Sequence, residues 1–227
     1  MKYDILVFDA DETLFDFKKA ERMALEKTLI HMGIRYNELF HLPLYKEINT
    51  AIWKELEDGQ ITQKKLKIER FTRYAKALEL EYDSVEFAKN YMGFLSEGSY
   101  LYENALELIK TLSESHELIM ITNGLKVVQE NRIKKSVLAP YFKSIIVSEE
   151  VGVSKPDVQI FMSTFEGYTD LKKERVLMIG DSLTSDIQGG INFGIDTCWY
   201  NSHSKLNESH IKPTYNIQTL TDLYEIV

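Results

Sequence analysis

The sequence predicts an α/β protein: a doubly wound parallel sheet interrupted by one all-helical insertion. Short apolar runs free of internal charge recur at Ile5–Phe8, Leu118–Ile121 and Val176–Ile179, as strands covered on both faces require. After Gly98 such runs alternate with helical patterns, the mark of a parallel sheet with helices on both faces. From about Asp16 to Gly98 the text is helical, with no buried strand. These observations divide the 227 residues into a core of residues 1–15 and 99–227 and an inserted helical domain of residues 16–98.

The first strand runs straight into Asp9-Ala10-Asp11-Glu12-Thr13. A strand buried on both faces tolerates no charge along its length, so Asp9 and Asp11 first meet water at its carboxyl end. That edge is where open α/β sheets bind ligands. Residues two apart on an extended chain point the same way, so both carboxylates face one centre, one suited to nucleophilic attack and the other to acid-base work. Alone, the same pattern also suits a turn or helix cap, with Thr13 as the capping residue.

In the insertion, Phe71, Tyr74, Ala75 and Leu78 fall at i, i+3, i+4 and i+7, and Thr62 and Asp83 are placed to cap helices. Beyond it, Ala105, Leu108, Ile109 and Leu112 form a helical stripe, and the strand Leu118–Ile121 opens onto Thr122-Asn123-Gly124. A helix is expected near Val127 to Leu138, then a strand at Ile145–Ser148 followed by Glu149 and Glu150, which suit a solvated or capped loop. Ser154-Lys155-Pro156-Asp157 sets a lysine just before a proline that can open a helix. The strand Val176–Ile179 runs into Gly180-Asp181, with Asp186 five residues further on. Gly189-Gly190 forms no strand-led phosphate loop and suits close helix packing, Gly194 suits a helix stop, and Asp196–Tyr200 reads as a late strand.

Composition narrows the function. A formal charge of −8 and a pI near 5.3 oppose binding along a nucleic-acid backbone, whereas a small phosphate ester, its charge met locally, remains compatible. Cys198 is the only cysteine, so no internal disulfide forms, and its place in a late strand makes it a poor nucleophile. His31, His41, His116, His203 and His210 lack the paired spacing of a zinc site. No apolar run is long enough to span a bilayer, and because the first strand begins almost at the first residue of the sequence, no signal peptide is expected. A cytoplasmic protein with no membrane partner is expected; the oligomeric state is not legible.

Taken in order, these strand ends resemble the haloacid dehalogenase (HAD) superfamily of phosphatases, whose motifs are an apolar strand with Asp-x-Asp-x-Thr, a strand ending in Thr or Ser, a Lys, and Gly-Asp with a second Asp downstream. The resemblance spans Asp9 to Asp186 and implies a Rossmann-like core. It implies that Asp9 becomes an aspartyl-phosphate. Asp11 would protonate the leaving oxygen, deprotonate the attacking water, and help hold Mg²⁺ through its backbone carbonyl. Thr122 and the amides around Asn123 would bind phosphoryl oxygens, with Gly124 in support, and Lys155 would compensate the negative charge of nucleophile and phosphate. Asp181 would join Asp9 and Asp11 as a metal ligand, with Asp186 supporting the cluster. The chemistry asks for these types: a phosphate dianion and an anionic nucleophile repel until a divalent cation and an ammonium neutralise the site. An all-oxygen set suits Mg²⁺.

A narrower resemblance, to the bacterial pyrimidine 5′-nucleotidases, rests on Phe8 to Phe15, the stretch Trp53 to Phe71, Ser148 to Pro156, Gly189 to Asn192, and Cys198-Trp199. It implies hydrolysis of pyrimidine nucleoside 5′-monophosphates. The insertion would act as a cap that reads the leaving group, hinged near Phe15–Phe17 and Glu97–Ser99. Trp53, Arg70 and Phe71 are the cap side chains considered for a base, although their helical spacing also suits a core. A sugar phosphomutase and a sugar-phosphate or phosphoglycolate phosphatase share the same motifs. Dehalogenation has no use for the second carboxylate, and a binding protein without chemistry none for the intact acidic set.

Overall fold

The computed structural model describes residues 2–227. Six strands form one all-parallel sheet: β1 (Ile5–Phe8), β2 (Glu117–Thr122), β3 (Ser144–Val147), β4 (Val176–Gly180), β5 (Asp196–Tyr200) and β6 (Tyr215–Ile217), in the order β3-β2-β1-β4-β5-β6. The helices are α1 (Phe17–His31), α2 (Glu38–Glu57), α3 (Gln63–Ala77), α4 (Ser84–Ser96), α5 (Ala105–Leu112), α6 (Lys126–Arg132), α7 (Ser148–Val151), α8 (Val158–Thr164) and α9 (Gln188–Phe193).

The chain separates into two compact units, one ending its first segment at Phe17 and resuming at Ser99, the other spanning Lys18–Gly98. In the first unit the strands' period of two distributes their side chains. Leu6, Phe8, Leu118, Met120, Leu177 and Ile179 pack with the stripe Ala105, Leu108, Ile109 and Leu112 of α5. Val7, Ile119, Ile121 and Met178 pack on the opposite face with Ile160 and Phe161 of α8 and Phe193 of α9. Helices thus cover both faces, and the sheet is doubly wound. The strand order reverses across β1, whose neighbours are β2 and β4, so the switch point lies at the carboxyl ends of these strands.

The second unit is all-helical. Tyr45, Phe71, Tyr74, Phe87 and Tyr91 are fully buried as one aromatic cluster, with Tyr45 and Phe71 stacked at 6.0 Å between ring centroids. Thr62 and Asp83 cap α3 and α4 by accepting from Lys65 N and from Val85 N.

Three local expectations are corrected. The helix near Val127 to Leu138 ends at Arg132, where Ile133 N and Lys134 N both donate to Gln129 O at 3.0 Å and close the last turn, and Ile133 and Leu138 are buried. Glu149 and Glu150 lie in one helical turn, α7, stopped by Gly152 at φ +86°. Glu149 accepts from Lys126 N and Glu150 pairs with Lys134, which accounts for both carboxylates. Pro156 does not open α8, which begins two residues later at Val158 behind the capping side chain of Asp157.

Gly189 and Gly190 are packing glycines, since a Cβ at Gly190 would lie 2.5 Å from Thr197 Cγ2. Cys198 is fully buried in β5, and burial pushes its thiol up to about 12. It is therefore expected to resist iodoacetamide at pH 8 in the folded protein and to react once urea unfolds the chain. Alkylation of the folded protein at the rate of a free thiol would contradict the assigned burial.

Candidate active site

The carboxyl ends of β1, β2 and β4 bring together most of the residues that the motifs single out. Asp9 follows β1 directly and donates its N–H to Ile179 O at 2.8 Å, so the β1–β4 ladder fixes its backbone. Leu14 and Phe15 both donate to Ala10 O at 2.9 Å, folding the motif into a turn that passes through Glu12 at φ +64°. Thr13 Oγ1 donates to Asp9 Oδ2 at 3.0 Å and accepts from Asp181 N at 3.1 Å. Thr13 thus ties the ends of β1 and β4 together, a more specific task than the cap it resembles in sequence.

Lys155 is buried to within 4 % exposure, and its Nζ lies 2.6 Å from Asp9 Oδ1, 2.8 Å from Asp186 Oδ1 and 2.7 Å from Ile121 O. Asn123 holds the backbone of this lysine from both sides, its Oδ1 accepting from Lys155 N and its Nδ2 donating to Lys155 O, each at 2.9 Å. The Asn123 side chain is therefore a brace for Lys155. Gly124 donates its N–H to Ser148 Oγ at 3.1 Å, and a Cβ there would lie 2.7 Å from Gln129 Nε2.

Asp186 sits in a π-helical turn, Leu183–Ile187, that leads into α9. Its Oδ2 accepts from Ser182 N at 3.0 Å, and a Cβ at Gly180 would lie 2.3 Å from that oxygen. The glycine before Asp181 is thus required for Asp186 to approach the end of β4. The Asp181 carbonyl accepts from Trp199 Nε1 at 2.8 Å.

Among the described residues, Asp9, Asp181 and Asp186 form a cluster whose carboxylate oxygens lie within 4.8 Å of one another. Burial, reinforced by Asp186, holds the Asp9 carboxyl well above the usual range, although Lys155 pulls it down. Burial and Asp186 push Asp181 up to about 7. Burial opposes the charge on Lys155, yet Asp186 and Asp9 keep its ammonium above the ordinary lysine range. Were all three carboxylates to ionise against the one ammonium, the cluster would hold an excess of two negative charges. A divalent cation with a preference for oxygen ligands matches that charge and that donor set.

The carboxylate of Asp11 lies outside this cluster. It pairs with Arg132 Nη2 through Oδ1 and accepts from Gln129 Nε2 at 3.1 Å through Oδ2. Gln129 Nε2 also lies 3.1 Å from Thr122 Oγ1. Neither Gln129 nor Arg132 was singled out from the sequence. Their signal was a Gln and an Arg three residues apart on one helical face, immediately after the Thr122-Asn123-Gly124 strand end.

In the helical unit, Phe71 is fully buried and presents no face for a base, which corrects its candidacy. Arg70 is 3 % exposed, lies over the rings of Phe71 and Tyr91, donates to Asn49 Oδ1 at 3.2 Å, and leaves Nε and Nη2 without partners. Trp53 is half-buried beside Ile52, Ile61 and Leu66.

The chain is similar to known proteins over nearly its whole length. The family model described as haloacid dehalogenase-like hydrolase matches residues 3–194. The pyrimidine 5′-nucleotidase PynA of Streptococcus pneumoniae is 37% identical over 226 residues, covering 99% of this chain and 95% of its own. The pyrimidine 5′-nucleotidase YjjG of Escherichia coli is 33% identical over 230 residues, covering 100% of this chain and 99% of its own. A crystal structure of YfnB from Bacillus subtilis bound to magnesium is similar at a TM-score of 0.92 and 38% identity, covering 100% of this chain and 99% of that one.

Proposed function

The chain belongs to the haloacid dehalogenase-like hydrolases, and from that premise we propose that it is a Mg²⁺-dependent phosphatase of pyrimidine nucleoside 5′-monophosphates. The observation that carries the chemistry is the contact of Lys155 Nζ with both Asp9 and Asp186, at 2.6 and 2.8 Å, in a site that also gathers Asp181. The two nucleotidase relatives, at 33% and 37% identity over nearly the whole chain, carry the choice of substrate.

In this reading a carboxylate oxygen of Asp9 attacks phosphorus, forming an aspartyl-phosphate as the bond to the ester oxygen breaks. Asp11 gives the departing oxygen a proton, which yields the free nucleoside. It then takes a proton from water as that water attacks the aspartyl-phosphate, releasing inorganic phosphate and restoring Asp9. Lys155 holds Asp9 oriented and offsets its charge, while Thr122 and the backbone amide at Asn123 take the phosphoryl oxygens. Asp9, Asp181 and Asp186, with the Asp11 carbonyl, would hold Mg²⁺, which supplies the Lewis-acid neutralisation of the phosphate dianion.

The unit Lys18–Gly98 is assigned the reading of the leaving group, with Trp53 and Arg70, whose Nε and Nη2 have no partner, as its candidate contacts. Among the described residues no helix is long and apolar enough to cross a membrane, and a cytoplasmic setting suits a nucleotide substrate.

The test is kcat/KM, followed by phosphate release, across dUMP, dTMP, dAMP, dGMP, glucose 1-phosphate and phosphoglycolate. Pyrimidine nucleotides are expected to lead by tenfold or more, since each modest mismatch in a pocket is worth roughly 1–3 kcal/mol. Equal use of purines or of a sugar phosphate would remove the pyrimidine reading and leave the phosphatase chemistry standing. Conversion of a sugar phosphate without phosphate release would make the protein a mutase instead.

A further inference from the structure

We propose that Arg132 and Gln129 are positioning residues that hold Asp11 in a single orientation, in register with Thr122. The proposal rests on the acid-base role assigned to Asp11 above.

Arg132 is fully buried, and its guanidinium lies 5.5 Å from the ring centre of Phe15 and 5.1 Å from that of Phe17. Its Nη2 pairs with Asp11 Oδ1, and its Nη1 donates to Gln129 Oε1 at 3.1 Å. Gln129, 2 % exposed, passes the connection on through Nε2 to Asp11 Oδ2 and to Thr122 Oγ1, both at 3.1 Å. Both oxygens of Asp11 are therefore held by side chains of one helix, α6, while Asp11 itself follows a different strand.

Stability alone is a weak reason for this arrangement. Burying a guanidinium costs several kcal/mol, and a well-packed apolar residue in place of a buried ion pair is often neutral or stabilising. The two aromatic faces and the planar fork of arginine offset part of that cost and fix the direction of the pairing. What the pair supplies is geometry. A lone carboxylate at the tip of a strand samples several rotamers, whereas one held through both oxygens keeps a single orientation. The shared Gln129 amide also fixes the position of Asp11 relative to Thr122. Gly124 makes this reach possible, because a side chain there would occupy the space of the Gln129 amide.

Leaving-group chemistry separates positioning from structural support. Protonation by an acid matters in proportion to the basicity of the departing oxygen. An alkyl oxygen needs it and a p-nitrophenolate does not. Arg132→Lys and Gln129→Leu are compared with wild type and with Asp11→Ala on dUMP and p-nitrophenyl phosphate, using kcat/KM to report the step in which the ester bond breaks. All three variants are expected to lose about 100-fold on dUMP and less than about tenfold on p-nitrophenyl phosphate. Gln129→Leu removes no buried charge, so it reports even if the Arg132 variant fails to fold.

Equal losses on the two esters by the α6 variants, with the selective loss retained by Asp11→Ala, would overturn the positioning role while leaving that of Asp11 intact. The same holds if the α6 variants keep wild-type activity. Equal losses by Asp11→Ala would remove the acid role itself and the proposal with it. A wild-type protein inactive on both esters would overturn the phosphatase reading.

Discussion

Asp9→Asn is expected to fold like the wild type and to lose turnover by a factor on the order of 10⁴ or more, the largest effect of any single substitution in this protein. The size follows from the reaction. Uncatalysed hydrolysis of phosphate monoesters is among the slowest biological reactions, with enzymatic accelerations of up to about 10²¹-fold, so removing the attacking atom exposes nearly the whole barrier. The fold should survive because the amide fits the same contacts. Its Oδ1 can accept from Lys155 Nζ, and its Nδ2 can donate to Thr13 Oγ1, which retains its bond from Asp181 N. Lys155 keeps Asp186 as a counter-ion at 2.8 Å, so no buried ammonium is left unpaired. Acid quenching of the wild type during turnover, followed by mass spectrometry, should find one phosphoryl group on the peptide containing Asp9 and none in the Asn variant. Wild-type rates in the purified variant, or a phosphoryl group on another residue, would end the covalent mechanism at Asp9.

The sequence made the site's first contacts legible and left its supports unread, and the reason is physical. Asp9, Lys155 and Asp181 stand at ends of apolar strands or beside a proline, where a charge is conspicuous against its neighbours. The strand pattern also sufficed to place them on one edge, since parallel strands carry their carboxyl ends together. Arg132 and Gln129 lie in a helix rich in polar residues, where a buried arginine looks like a solvated one until tertiary packing covers it. The approach of Asp186 to Asp9 and Asp181 depends on a π-helical turn and on the missing Cβ of Gly180. Neither has a periodic signature. Phe71 illustrates the opposite limit: an aromatic residue at helical spacing serves a base or a core equally well on paper, and its stacking on Tyr45 decides for the core.

Removal of the divalent cation is expected to abolish activity, and two pH trends of opposite sign should identify the acidic cluster as the cause. Excess EDTA should stop phosphate release, Mg²⁺ should restore it, and Asp181→Asn should raise the Mg²⁺ concentration needed for half-maximal rate. Burial and the Asp186 carboxylate push Asp181 up to about 7, against about 3.9 for an aspartate in an unfolded chain. A carboxyl raised by folding favours the folded state while protonated. That contribution is complete below about pH 4 and is lost as pH rises through about 7. The chelated protein should therefore melt several degrees higher at pH 6 than at pH 8, about 1 kcal/mol corresponding to roughly 2–4 °C in a chain of this size. Asp181→Asn should flatten most of that difference, because the amide carries no proton equilibrium. Mg²⁺ reverses the trend: it binds the ionised carboxylates, protons compete with it below about pH 7, and its affinity should fall from pH 8 to pH 6. Melting curves with EDTA and with saturating Mg²⁺, together with calorimetric titration of Mg²⁺ at both pH values, measure both trends. Full activity in excess EDTA with no metal by elemental analysis would remove the cation from the reaction. A pH trend unchanged by Asp181→Asn would move its origin away from this cluster.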